Sequence, residues 1–250
     1  EKVDHKNIGI DFGFFNNQLT GTFDVFQRDT RDMLGPSVPL ADMFGAVAPE
    51  TNNAEMRNRG WEMTLQWRGK IGSDIDYSIG GSISDATAEI TSYDGGFTDP
   101  AGDNSNGWYK GKKIGEIWGY RTAGIIQTQE EADEYNKLDL TYLSGLAWEP
   151  GDVKYLDLNG DGKVNSGTNV YGDMGDRVVI GNTTPRYQYT INGSISWKGL
   201  SLSLMFQGVG KRDWCPGSGT VYFWGSNAKA QVTVFDEHMD YWTEDNRDAY

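Results

Sequence analysis

The sequence predicts an all-β fold, a partial antiparallel transmembrane β-barrel of about six strands, and three observations predict it. Six segments alternate apolar and polar residues with a period of two. The connections between them alternate short and long without exception. No run reaches the roughly eighteen apolar residues of a membrane helix, and no helical stretches are interleaved to cover the apolar strand faces.

The strands are expected near 6–15, 19–29, 58–68, 74–88, 186–197 and 200–210. The first places Ile8, Ile10, Phe12 and Phe14 on one face and Gly9, Asp11 and Gly13 on the other. Asn16, Asn17 and Gln18 then signal a turn. The second sets Leu19, Gly21, Phe23 and Val25 against Thr20, Thr22, Asp24 and Arg28. The third sets Trp61, Met63, Leu65 and Trp67 against Glu62, Thr64, Gln66 and Arg68, with a turn following at 69–73. The fourth carries Ile75, Tyr77, Ile79, Gly81 and Ile83 opposite Asp76, Ser78, Gly80, Ser82 and Ser84. The last two form a hairpin about Lys198 and Gly199. Tyr187, Tyr189, Ile191, Ile195 and Trp197 lead into it, and Leu200, Leu202, Leu204 and Phe206 lead out.

Long connections are expected at 30–57, 91–185 and 211–250. A compact soluble domain rarely needs structureless loops of that length. Outer-membrane barrels have short periplasmic turns and long extracellular loops as a rule. The polar face, with Asp11, Asp24, Arg28, Glu62 and Arg68 among Ser, Thr and Gln, suits a lumen. The apolar face ends in Trp and Tyr rings, which favour membrane interfaces. Periodicity alone also allows a soluble β-sandwich, with a surface-attached glycan-binding module as its function. The loop asymmetry favours the barrel. Bacterial barrels begin at about eight strands, so these six are expected to be part of a larger one.

The chain has 250 residues, with 33 glycines and 13% aromatic residues, which suits many strands and turns. Its net charge of -14 argues against nucleic acid, whose phosphates call for clustered Lys and Arg. Cys215 is the only cysteine, so there is no internal disulfide and no Cys-based zinc site. His5 and His238 lack metal-ligand spacing, and neither a P-loop nor a G-x-S-x-G appears. The expectation is a non-enzyme.

Within the second long connection, "DLNGDGKVN" matches the start of a calcium loop. Asp157, Asn159 and Asp161 take positions 1, 3 and 5, Gly162 the left-handed position 6, and the carbonyl of Lys163 position 7. Position 12 is Thr168 rather than an acid, and Asp173 or Asp176 is expected to return and close the site. Calcium is the one cofactor expected. Thr128 and Glu131 read as a capping box for a helix over 128–135. Val232, Phe235, Met239 and Trp242 read as the stripe of a second helix over 229–243. Trp108, Tyr109, Trp118, Trp148, Trp214 and Trp224 are the ring-bearing candidates for substrate or partner contact in the long connections.

Four stretches carry a resemblance: "KIGEIWGYRTAGIIQTQEEADEY" (113–135), "GDVKYLDLNGDGKV" (151–164), "DRVVIGNTTPRYQYTINGSISWKGLSLSLMFQGVGKRDW" (176–214) and "YWTEDNRDAY" (241–250). Their order and wording resemble the SusC/RagA-like TonB-dependent transporters, and the resemblance covers most of the chain. In that family "DLNGDGK" is usually followed closely by Asp and then Arg or Lys. Asp176 and Arg177 fit that place here, displaced by an insertion. The resemblance implies an outer-membrane barrel of about 22 strands in a Gram-negative bacterium, with an N-terminal plug. It further implies import of glycans or oligopeptides, coupling to the TonB complex through segments outside this sequence, and a SusD-like lipoprotein over the mouth.

Overall fold

The structure is a computed structural model describing residues 1–35, 43, 45, 49–95, 107–168, 172–215 and 234–249. Its main sheet has six antiparallel strands: β1 (Lys2–Phe14), β2 (Leu19–Gly35), β3 (Thr51–Ile71), β4 (Ile75–Tyr93), β9 (Arg186–Trp197) and β10 (Leu200–Lys211). They pair in that order, leaving β1 and β10 as edges of an open sheet. Between β4 and β9 lie β5 (Glu116–Tyr120), β6 (Thr122–Ile125), helix α1 (Gln129–Tyr135), β7 (Val153–Tyr155) and β8 (Arg177–Asn182).

The hairpin turns have the backbone their sequences require. Lys198 and Gly199 both have positive φ, 45° and 88°, which matches the right-handed twist of β9 and β10. Asn16 and Asn17 take φ of 54° and 63°, a region Asn tolerates better than most residues.

Several strands run further than alternation indicates. β2 reaches Gly35 and β3 starts at Thr51, inside the expected connection 30–57; β1 starts at Lys2 and β4 continues to Tyr93. The ladder continues there with charged cross-strand partners, so the apolar period fades while the pairing does not. Arg57 meets Asp29 at 2.5 Å, and Arg31 meets Asp4 at 3.1 Å.

Contacts divide the chain into two compact units, Glu1–Glu116 with Asn182–Asp213, and Ile117–Gly181 with Trp214–Tyr250. The first contains the six-stranded sheet. The second contains the pairs β5–β8 and β6–β7 and helix α1. It has its own core of Ile126, Ala132, Tyr135, Leu140 and Val164. Thr128 caps α1 by accepting the Glu131 amide at 3.2 Å, and the Glu131 carboxylate reaches back to the Gln127 amide at 2.9 Å. Over the expected second helix, the described residues show only a short 3₁₀ turn at Asp236–Met239. Val232, from the proposed stripe, lies outside the described residues. Among the described residues no helix is long and apolar enough to cross a membrane.

Candidate transport surface and loop sites

The register places the alternating apolar residues of the six strands on one face, while Phe26 and Met205 fall on the other. Phe23 pairs with Ile10 and Met63, Met63 with Ile83, Ile83 with Tyr189, and Ile195 with Leu202. A one-residue slip in any pair would break this row. The row remains open: Ile191, Ile195, Leu202 and Leu204 are each between 44% and 56% exposed. A soluble sandwich would bury them against a second sheet, and none is packed there among the described residues. Tyr187 to Trp197 covers eleven residues of β9, ten residue-to-residue steps. At roughly 3.3 Å per residue and 40° of tilt this is about 25 Å, the height of an outer-membrane apolar band.

The opposite face is polar and internally paired. The hydroxyls of Thr22 and Thr64 lie 2.7 Å apart, those of Ser78 and Ser194 2.8 Å, and those of Ser196 and Ser201 2.8 Å. Asn7 donates to Asp24 at 3.4 Å. These cross-strand bonds leave a face that water can wet, as a lumen requires.

In the second unit the acidic loop is closed by hydrogen bonds. Asp157 accepts the amides of Gly160 at 2.7 Å and Gly162 at 2.9 Å, and Asp161 accepts that of Lys163 at 2.9 Å. Asn159 accepts the Asp161 amide at 2.9 Å. Gly162 has φ of 82°, as position 6 of a calcium loop requires. Asp176 is fully buried and accepts amides from Leu158 at 2.7 Å and Asn165 at 2.9 Å. Asp173 accepts the Thr168 hydroxyl and amide, and the hydroxyl bond chiefly holds its carboxyl below the usual range. Thus Asp176 and Asp173 close this loop through amides and a hydroxyl. Among the described residues no three His, Cys, Asp or Glu side chains form a cation set.

The candidate rings have different surroundings. Trp148 packs on the core of the second unit, edge-on to Tyr135 and Tyr155 with centroids 5.9 and 5.8 Å away. Its backbone is tied to the Asn136 side chain through both its N–H and its C=O. Trp108 lies 5.8 Å from Tyr93, and the Tyr109 hydroxyl donates to Glu116. Trp118 lies in β5 and is half-buried. Trp214 is 70% exposed. Trp224 lies outside the described residues.

One arrangement had no local sequence signal. Asp85 occupies an apolar-face position of β4, two residues past Ile83, and Arg186 grips it with two guanidinium nitrogens. The residues are 101 positions apart. Only the charge interrupting the β4 alternation could have pointed to a partner.

The family model described as "TonB dependent receptor-like, beta-barrel" matches residues 1–234. The chain belongs to the TonB-dependent receptor β-barrels. TonB-dependent receptor P3 of Formosa agariphila is 26% identical over 210 residues, covering 80% of this chain and 19% of that protein. TonB-dependent receptor SusC of Bacteroides thetaiotaomicron is 27% identical over 195 residues, covering 76% of this chain and 18% of SusC. The RagAB peptide transporter structure superposes with a TM-score of 0.69 at 21% identity, covering 99% of this chain and 25% of that one. The chain therefore spans about a fifth of the length of these two curated relatives. It is a SusC/RagA-like section of an outer-membrane barrel, and its open sheet is that of a partial barrel.

Proposed function

We propose that this receptor is the outer-membrane component of a TonB-dependent nutrient importer, taking up glycans or oligopeptides with a SusD-like surface lipoprotein. The observation that carries the reading is the six-strand apolar face, in register and open to lipid, backed by a hydroxyl-lined polar face. The likeness to SusC and to a peptide transporter supports import as the activity. Energy would come from the TonB complex through segments outside this sequence. The long connections would supply contact with substrate or lid. The test is uptake of labelled oligosaccharides and labelled oligopeptides by cells carrying or lacking the gene. Uptake of one class should fall on deletion and return on complementation; unchanged uptake of both would reject the reading. A receptor that stays monodisperse without detergent would instead support a soluble binding module.

For the acidic loop, we propose a calcium ion on Asp157, Asn159, Asp161 and the Lys163 carbonyl. The support is the oxygen-only set, the left-handed Gly162 and the full burial of Val164 at position 8.

A further inference from the structure

The polar face of the sheet is bonded to itself in one part and open in another. Thr22 closes on Thr64, and toward the short turns Ser78 closes on Ser194 and Ser196 on Ser201. Two rows across β4, β9 and β10 behave differently: Ser82, Thr190 and Gln207, then Ser84, Gln188 and Val209. Among the described residues no side-chain hydrogen bond engages the hydroxyls of Ser82, Ser84 and Thr190 or the amides of Gln188 and Gln207. These five side chains line a shallow depression of about 440 Å³.

Beside the depression, Glu62 stands opposite Ser84 on one side and opposite Asp24 on the other. Two carboxylates directly opposed destabilise a strand pair. Asp24 accepts the Asn7 amide at 3.4 Å, and Asp11 stands one row nearer the short turns. Among the described residues neither Asp24 nor Glu62 forms an ion pair. On this face Arg28 and Lys211 lie beyond these rows toward the long connections, and Arg68 lies toward the short turns. Phe26 interrupts the polar period of β2, one row from Asp24 and Glu62. Its ring reaches over Gly60, where a Cβ would come within 2.5 Å of Phe26 Cζ. The glycine lets the ring lie across the wall.

We propose that this stretch of wall is a subsite for an uncharged, hydroxyl-rich oligosaccharide. One sugar unit rests on Phe26 and donates hydroxyls to Glu62 and Asp24, and the next lies in the depression against Ser84, Gln188 and Gln207. Sugar hydroxyls both donate and accept, as Ser, Thr and Gln side chains do, and a carboxylate accepts from several at once. An apolar surface with a few fixed polar groups is the general make-up of a ligand site. Donors placed between Glu62 and Asp24 relieve their opposition, whereas a sulfate or uronate adds to it. The inference rests on the import reading, and it names the substrate class and the wall residues that hold it.

The test is titration calorimetry on the intact receptor. The probes are uncharged hexasaccharides of glucose, mannose, galactose, xylose and fructose, their sulfated forms, and a mixture of hexapeptides. At least one uncharged hexasaccharide should bind wild type, and its sulfated form should bind about tenfold more weakly. Glu62→Gln with Gln188→Ala should weaken the uncharged probe about tenfold, as should Phe26→Ala. Glu62→Gln alone should also narrow the gap between the uncharged and sulfated probes, which a merely structural role would not do. Lys70→Gln, beside a short turn, should bind as wild type does. Heat-dependent gel migration shows that each variant is a folded barrel. Unchanged affinity in the double variant and in Phe26→Ala, or an equal loss in Lys70→Gln, would overturn the site. Failure of every uncharged hexasaccharide to bind, or binding of hexapeptides alone, would overturn the sugar assignment. Uptake by cells with and without the gene separates this from the import reading: a fall on deletion leaves import standing when the subsite fails, and unchanged uptake of both classes overturns import itself.

Discussion

Leu202 stands opposite Ile195 across the β9–β10 hairpin, and the two are 56% and 44% exposed on the same face. The next residue, Ser203, stands opposite Ser194 on the other face. An arginine at Leu202 would meet hydrocarbon and should destabilise the folded barrel by about 2–4 kcal/mol. An arginine at Ser203 would meet water and should cost far less. Equilibrium folding of the intact receptor into lipid vesicles measures both, and equal costs would contradict the assignment of faces.

The six strands were legible because each must satisfy two solvents, and a period of two records that duty along 75–83 or 187–197. The strand extensions at 30–35 and 51–57 were not, since Asp29, Arg31 and Arg57 pair across strands without any apolar period. The small folded unit within 117–181 was legible only at its cap, Thr128 with Glu131. Its core joins Ile126, Leu140 and Val164 through contacts distant in sequence. The acidic run 157–163 was legible as a turn and Asp176 as an acid that returns to close it, but its role as acceptor of the Leu158 and Asn165 amides, reached across 11 to 18 residues, was not.

Asp176 should be the acceptor that this loop depends on most. Replacing it by alanine leaves the amides of Leu158 and Asn165 without partners in a buried place. The expected cost is on the order of 3 kcal/mol, confined to the second unit. Asp176→Asn keeps one carbonyl oxygen and should cost less. Hydrogen exchange over 157–167 should rise strongly in the first variant and moderately in the second, with strand amides unchanged.

Glu131 links two segments, accepting the Gln127 amide and pairing with Lys154. The Lys154 bond, then the Gln127 amide, holds its carboxyl below the ordinary 4.5. A carboxyl lowered on folding contributes stability that is fully present above 4.5 and is lost as pH falls through the lowered value. The extra hydrogen-exchange protection of 127–135 in wild type over Glu131→Gln should therefore hold from pH 7 to pH 5 and shrink below 4.5. A difference that shrinks between pH 7 and 5 would assign the effect to another group.

The proposed calcium ion predicts that a chelator lowers the melting temperature of the intact receptor and that added calcium restores it. Asp157→Ala should remove that response. It also breaks the Gly160 and Gly162 amide bonds, so Asp157→Asn is the sharper variant, keeping one acceptor while removing the charge a cation needs. Identical melting with and without chelator would leave the loop closed by its amides alone.

Trp148 and Trp214 should separate packing from recognition. Trp148 lies edge-on between Tyr135 and Tyr155, with its backbone tied to Asn136, so its ring is committed to the core. Truncation to alanine should destabilise the second unit by about 2–4 kcal/mol, since a large aromatic removed from a packed cluster leaves a cavity. Trp214 is 70% exposed, so its truncation should leave stability within about 0.5 kcal/mol. A large exposed ring in a connection is instead what a partner or substrate surface uses, because it buries much area for few frozen torsions. Trp214→Ala should therefore weaken binding of the surface lipoprotein or slow uptake while the melting curve stays in place. Titration of purified lipoprotein onto the receptor measures the first, and labelled-substrate uptake measures the second. If Trp214→Ala leaves both at wild-type levels, this ring is not part of the contact surface, and contact belongs to other residues of the long connections or to parts of the barrel beyond this chain.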